Sequence, residues 1–217
     1  GIVYKPKENV SYYYSYSESF LPRSGEQFKA LSASSAALDP DVYESSEIGV
    51  KVALSDDLSL TAAYFDSEQT RAARDSETGE TNEIVGLQVD GMELELKGSV
   101  SDKMDIVLGL TKMSGKTAKG GEPREIPDHM ISLFATNQVS DKLGWSLGLT
   151  RQGESAIGND KPGNVLPAYT RVDFAAYYMI ADDLSVQMNI ENLNDTLYFP
   201  HSHSTHQASV GRERNFR

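Results

Sequence analysis

Along most of this chain apolar side chains recur at every second position, the period that sends successive residues to opposite faces of a β-strand. Val10, Tyr12, Tyr14 and Tyr16 share one face, with Ser11, Ser15 and Ser17 opposite. The same alternation carries Ile48, Val50, Val52 and Leu54, then Leu58, Leu60, Ala62 and Tyr64. Downstream it gives Met104, Ile106, Leu108 and Leu110, then Leu143, Trp145, Leu147 and Leu149. Val172, Phe174, Ala176 and Tyr178 form another stripe, and Leu184, Val186, Met188 and Ile190 the next. Ile131, Leu133 and Ala135 follow the rule more weakly. With the strand-like opening at Gly1–Tyr4, the pattern predicts about ten strands, and an eleventh that begins near Ala208 and runs towards Arg217. No helical period competes, so the expected fold class is an all-β antiparallel meander.

One segment breaks phase. Val85, Leu87 and Val89 are odd-numbered, whereas Met92, Leu94 and Leu96 are even. A β-bulge near Asp90-Gly91 would restore one apolar face, because glycine tolerates the backbone that a bulge requires. Alternatively, the residues before Asp90 already lie beyond the apolar zone, where parity is no longer constrained. Both readings are open at this stage.

The connections between strands alternate in length. Short links fall at Lys5–Asn9, Ser55-Asp56-Asp57, Ser101-Asp102-Lys103, Ser140-Asp141-Lys142 and Ala181-Asp182-Asp183. Long ones lie near 21–43, 70–82, 114–127, 152–168 and 192–208. A soluble sandwich, whose apolar faces cover one another, has no reason to keep its two ends so unequal. A transmembrane β-barrel does, with tight periplasmic turns and longer external loops. The face opposite the apolar stripes suits a wet lumen, with Glu47, Lys51, Glu93, Glu95, Asp173 and Glu191 on it. Aromatics near strand ends, such as Tyr12, Tyr14, Tyr16, Trp145, Tyr178 and Tyr198, fit an interfacial girdle. Asp56-Asp57 and Asp182-Asp183 read as turn formers rather than paired catalytic carboxylates.

Composition narrows the partners. The net charge of −12 and pI of about 4.7 argue against nucleic acid, whose phosphates need a basic footprint. They argue equally against docking on an anionic cytoplasmic leaflet. Cysteine is absent, which removes disulfides, thiol nucleophiles and cysteine metal sites. No stretch approaches the roughly 18 apolar residues of a membrane helix. The strand-like start at Gly1 without a signal peptide suggests that an upstream part is missing.

Several short motifs then resemble one family in order. Asn192-Leu193-Asn194-Asp195-Thr196-Leu197-Tyr198 resembles the Asn-Leu-x-Asp-x-x-Tyr signature of TonB-dependent outer-membrane receptors, and Gly211-Arg212-Glu213-Arg214 the Gly-x-x-Arg that opens their last strand. Tyr12–Phe20 with Leu21-Pro22 is similar to a Tyr-Ser-x-Ser-Phe-x-Pro passage of the siderophore-receptor branch. Glu47-Ile48-Gly49-Val50-Lys51, Asp90-Gly91-Met92-Glu93-Leu94-Glu95 and Pro167–Asp173 match further strands of that branch. The resemblance implies that residues 1–217 are the C-terminal portion of a 22-stranded barrel in the outer membrane of a Gram-negative bacterium. It also implies ferric siderophore as the transported ligand and uptake energised by the TonB complex through an N-terminal plug. Lipid bilayer and lipopolysaccharide would surround it. The plug and the TonB box have no counterpart in these residues, which therefore look like a fragment.

The candidate ligand contacts lie in the long connections: Arg23, Arg71 and Arg74 at loop starts, and His201, His203 and His206 in the last loop. The arginines would meet an anionic chelate. The histidines would hydrogen-bond it rather than ligate metal, because a siderophore saturates its iron with its own oxygens. No catalytic residue, resident metal or cofactor is expected. Lys119-Gly120-Gly121 lacks the ending and helix of a phosphate loop, and His129 has no supported nucleophile beside it. The alternative function is a small autonomous outer-membrane barrel acting as a loop-borne hydrolase or adhesin; a soluble β-sheet binding module is a third reading.

Overall fold

The computed structural model describes residues 1–21, 40–74, 81–158, 163–203 and 207–217. Its strands are β1 (Ile2–Lys7), β2 (Val10–Leu21), β3 (Asp41–Ala53), β4 (Leu58–Arg74), β5 (Thr81–Ser101), β6 (Met104–Thr117), β7 (His129–Gln138) and β8 (Leu143–Gln152). There follow β9 (Ser155–Ala156), β10 (Val165–Leu166), β11 (Tyr169–Ala181), β12 (Leu184–Glu191), β13 (His201–Ser202), β14 (Ala208–Ser209) and β15 (Asn215–Phe216). Eleven of them form one sheet in the order β1-β2-β3-β4-β5-β6-β7-β8-β11-β12-β15, an antiparallel meander. The pairs β9–β10 and β13–β14 are separate two-stranded ladders within the long connections.

Serine hydroxyls close three of the tight turns. The Ser55 hydroxyl accepts the Asp57 N–H at 3.3 Å, Ser101 that of Lys103 at 3.4 Å, and Ser140 that of Lys142 at 3.4 Å. Each is a local hydroxyl-to-backbone bond two residues on, which closes a turn without help from the rest of the fold. The first turn is shorter than the sequence suggests, because β1 continues through Lys7 and leaves only Glu8-Asn9 between strands.

The register lines up the apolar positions into rows. Val10 pairs with Val52, Val52 with Leu60, Leu60 with Leu96, and Leu96 with Leu108. The row continues through Leu133 and Leu149 to Val172. A neighbouring row runs from Leu58 through Gly98, Ile106, Ala135, Leu147, Phe174 and Ile190 to Phe216. Among the described residues no second sheet covers this face: Ile48, Met92, Leu184, Val186 and Met188 are all exposed. That disfavours the sandwich and leaves an apolar belt facing outward, as on a membrane barrel.

The belt ends abruptly and obliquely. On β2–β6, the row Tyr16, Ser46, Asp66, Asp90 and Ser114 is already mostly polar, and the next holds Glu18, Glu44, Glu68, Gln88 and Lys116. On β8 and β11 the polar positions begin lower, at Arg151 and Thr170, one row above Leu149 and Val172. A belt that drifts across the rows is what tilted strands produce when they cross a layer of fixed thickness. The Tyr16 hydroxyl donates to Glu44 Oε1 at 2.6 Å, so its ring sits at the boundary with its polar tip upward.

The phase break is explained by this boundary. The ladder passes unbroken through Asp90 and Gly91 on both sides, pairing them with Asp66 and Phe65 and with Ser114 and Met113. No bulge lies there; the register shift is at Gly86, between the partners of Gln69 and Thr70. Leu87 and Val89 lie beyond the belt, where parity is free. Two other expectations are corrected. The connection near 70–82 shrinks to 75–80, because β4 and β5 extend to Arg74 and from Thr81. The strand near Ala208 is not the eleventh of the sheet; Ala208–Ser209 pair locally with His201–Ser202, and β15 at Asn215–Phe216 takes that place beside β12.

On the polar face, aromatic rings lie over directly opposed glycines. A Cβ at Gly49 would sit 2.6 Å from the Tyr13 ring, and one at Gly144 only 2.1 Å from that of Tyr177. The Tyr13 hydroxyl donates to Glu47 Oε1 at 2.5 Å while Lys51 Nζ lies 5.2 Å from the ring centroid. The Tyr177 hydroxyl donates to Gln138 Oε1 at 2.9 Å. The glycine gap lets a bulky ring lie flat across the strand and pins local register.

Candidate ligand-facing end

All long connections leave the sheet at one end, the end where the outward face turns polar. The last of them is anchored by a network centred on Asn192, the most deeply buried polar side chain described, at 1 % exposure. Its Nδ2 donates to Thr196 O at 3.0 Å and to Arg212 O at 2.9 Å, and its Oδ1 accepts the Thr196 N–H at 3.0 Å. Asn192 has a φ of 51° and Asp195 one of 52°, left-handed values that Asn and Asp tolerate better than most residues. Asn194 docks on the edge of β11, accepting the Val172 N–H at 3.0 Å and donating to Thr170 O at 2.8 Å. Asp195 Oδ1 accepts the Arg214 N–H at 2.9 Å.

Next to it, Arg171 grips Asp173 through two nitrogens, at 2.9 Å and 2.7 Å, and donates to the Tyr198 hydroxyl at 3.1 Å. The Tyr198 ring stacks on Tyr169 with centroids 4.8 Å apart and covers Gly211, where a Cβ would fall 2.2 Å from it. Each residue of the Asn-Leu-x-Asp-x-x-Tyr and Gly-x-x-Arg motifs with a polar side chain or a glycine thus has a bonding or packing task here, apart from the Arg214 side chain, which pairs loosely with Asp195 at 3.8 Å.

A second node joins three connections. Glu125, between β6 and β7, donates its N–H to Ala156 O at 2.8 Å. Its Oε1 accepts the Ser202 N–H at 2.5 Å and the Ser202 hydroxyl at 3.1 Å. Desolvation pushes the Glu125 carboxyl up, but the Ser202 hydrogen bonds and the adjacent Arg124 charge outweigh it and hold it below the usual carboxylate range. A cleft of about 290 Å³ opens beside this node, lined by Glu122, Asp128, Glu154 and Ser155 among others and by no lysine or arginine. An acidic lining repels an anionic chelate.

The six sequence candidates are dispersed. Arg71 lies within β4 rather than at a loop start, opposite Ile84 and against Gly86, and its side chain is exposed. Arg74 ends β4; Arg23 and His206 fall outside the described residues. His201 and His203 are exposed on the β13–β14 hairpin, in the connection after the tenth strand of the sheet, whereas Arg71 is on the fourth. Among the described residues no group of three or more His, Asp or Glu is arranged to hold a metal. Sequence reasoning missed Glu125 and Ser202: nothing in the string Arg124-Glu125-Ile126-Pro127 marks a left-handed glutamate or a partner 77 residues away.

An open-ended antiparallel meander with an apolar outer belt, a polar inner face and long connections gathered at one end is a piece of membrane-barrel wall. Residues 1–193 match the family model described as TonB dependent receptor-like, beta-barrel, and the chain belongs to that family. It is 28 % identical over 238 residues to PiuA of Acinetobacter baumannii, named a probable TonB-dependent siderophore receptor; the match covers 99 % of this chain and 32 % of that protein. Its fold is similar to the ferric-catecholate import receptor Fiu of E. coli K12 in its closed form, with a TM-score of 0.85, 25 % identity, and coverage of 99 % and 33 % of the two chains. The ferripyoverdine receptor of Pseudomonas aeruginosa bound to ferripyoverdine gives a TM-score of 0.81 at 26 % identity, covering 99 % and 31 %. The chain therefore spans about a third of the length of these relatives. All three are named as receptors.

Proposed function

We propose that this chain contributes barrel wall and external loops to an outer-membrane receptor that imports ferric siderophores, energised through TonB. The observation that carries the reading is the oblique apolar belt, continuous across the sheet, with long fastened connections on one side of it and tight turns on the other. The belt faces lipid, the polar face lines a lumen, and the fastened loops meet the ligand. Similarity to PiuA, Fiu and the ferripyoverdine receptor supports a ferric chelate as that ligand. Iron is cargo here and arrives already coordinated. Exposed Arg71, His201 and His203 are then candidate contacts to the chelate's anionic, oxygen-rich periphery.

The full-length receptor should restore growth and radio-iron uptake to an iron-starved Gram-negative host stripped of its own siderophore receptors. Uptake is expected with at least one of a panel of ferric catecholates, hydroxamates and hydroxycarboxylates, and only while TonB is functional. No uptake from any of them, or uptake that persists without TonB, would overturn the reading.

A further inference from the structure

The β6–β7, β8–β11 and β12–β15 connections come from distant parts of the sequence, yet one residue touches the other two from the first. Glu125 bonds Ala156 through its N–H and Ser202 through its carboxylate, and Arg124 adds an isolated parallel bridge to Ala156. The backbone at Glu125 has a φ of 59°, a left-handed value uncommon for a residue with a long side chain. Such a conformation persists where the surroundings over-determine it, and it clusters at functional sites. Here the bonds from both sides of the residue hold it.

The consequence lies one residue to either side of Ser202. That serine is 4 % exposed because its side chain is turned onto Glu125. Along an extended segment neighbouring side chains point the opposite way. His201, on β13 before Ser202, is accordingly exposed; His203, at the bend just after it, is exposed as well, and the Ser202 anchor holds the segment that carries both. The His203 N–H donates to Gln207 O at 2.7 Å, next to the β13–β14 pair.

We infer that Glu125 is a positioning residue: it locks three external connections into one body and presents His201 and His203 together to an incoming anionic chelate. Imidazole nitrogens suit that task as hydrogen-bond groups to oxygen-rich surfaces. The ligand part of this inference rests on the receptor reading; the lock itself does not.

The test compares Glu125→Ala and Glu125→Gln in the full-length receptor in detergent micelles. Glu125→Ala should speed amide exchange at Ser202 and its hairpin at least tenfold while the β6–β8 ladder stays protected. Glu125→Gln keeps a carbonyl acceptor and should recover most of that protection. Diethyl pyrocarbonate should modify His201 and His203 at altered rates in Glu125→Ala, restored in Glu125→Gln. Affinity for a ferric tris-catecholate probe should fall about tenfold in Glu125→Ala and return in Glu125→Gln. A residue with a merely structural role would lower the yield of folded receptor and leave affinity where it was. Unchanged exchange at Ser202 sinks the lock, and unchanged histidine labelling sinks the positioning role. If the wild type binds none of the ferric chelates, the receptor reading fails, and exchange and labelling still decide this one.

Discussion

Above the apolar belt the two halves of the sheet are built by different bonds. From β2 to β6 the strands simply continue: β4 and β5 run for 17 and 21 residues, and the ladder carries polar rows such as Glu44, Glu68 and Gln88 well past the last apolar one. From β7 to β12 the strands run 8 to 13 residues, apart from the two-residue pairs within the connections. There the wall continues as loops fastened by Glu125 to Ser202 and by Asn192 to Thr196 and Arg212. A backbone ladder draws on the N–H and C=O that nearly every residue carries, so it tolerates change in side chain. A fastened loop depends on a few side chains, here buried Asn192 and Ser202 and half-buried Glu125, with no ladder to replace them. The first half should therefore be robust to substitution and the second brittle.

The largest expected effect tests the boundary from which the comparison starts. Leu108→Arg places a cation inside the belt and should destabilise the full-length receptor in bilayers by about 2–4 kcal/mol, whereas Ser114→Arg, above it on the same strand, should cost about 0–1 kcal/mol. Equal losses in a denaturant titration of bilayer-folded protein would place the boundary wrongly.

A middling effect sets the halves against each other. Asn192→Ala leaves the Thr196 N–H and the Thr196 and Arg212 carbonyls without their partner, at about 1–3 kcal/mol, and should loosen the last connection in amide exchange. Gln88→Ala removes a 3.3 Å bond to Asp66 on the exposed ladder and should stay within about 0.5 kcal/mol. Comparable losses would erase the contrast between ladder and fastener.

The smallest effect concerns pH. The folded carboxyl of Glu125 lies below its unfolded value of about 4.3, so its contribution is complete above that value and is lost as pH falls through the folded one. Amide exchange around Ser202, corrected for intrinsic pH dependence, should accelerate only below about pH 4, and the β4–β5 ladder should show no such step. An increase between pH 7 and 5 would point to a different group.

The contrast also explains what could be read from the string of residues. Period two is a local property, so strands, faces and the class of fold were visible wherever Val, Leu and Tyr alternated with Ser, Gly and Glu. Parity failed at Leu87 and Val89 because a strand beyond the belt has no face to bury. Ala208–Ser209 stays out of the sheet because a weakly alternating segment can pair with a nearby one, and closing that short loop costs less entropy than reaching β12. The motif around Asn192 was legible as a family signature but silent about its bonds.

The sequence by itself determined the alternation, the tight Ser-Asp turns, the family and the unequal ends, because each depends on neighbours in the chain. Only the tertiary structure decided where the belt stops, that the long connections are fastened, and that Glu125 and Asn192 fasten them. Those depend on register across strands and on a hydrogen bond between residues 77 apart, which no local pattern encodes.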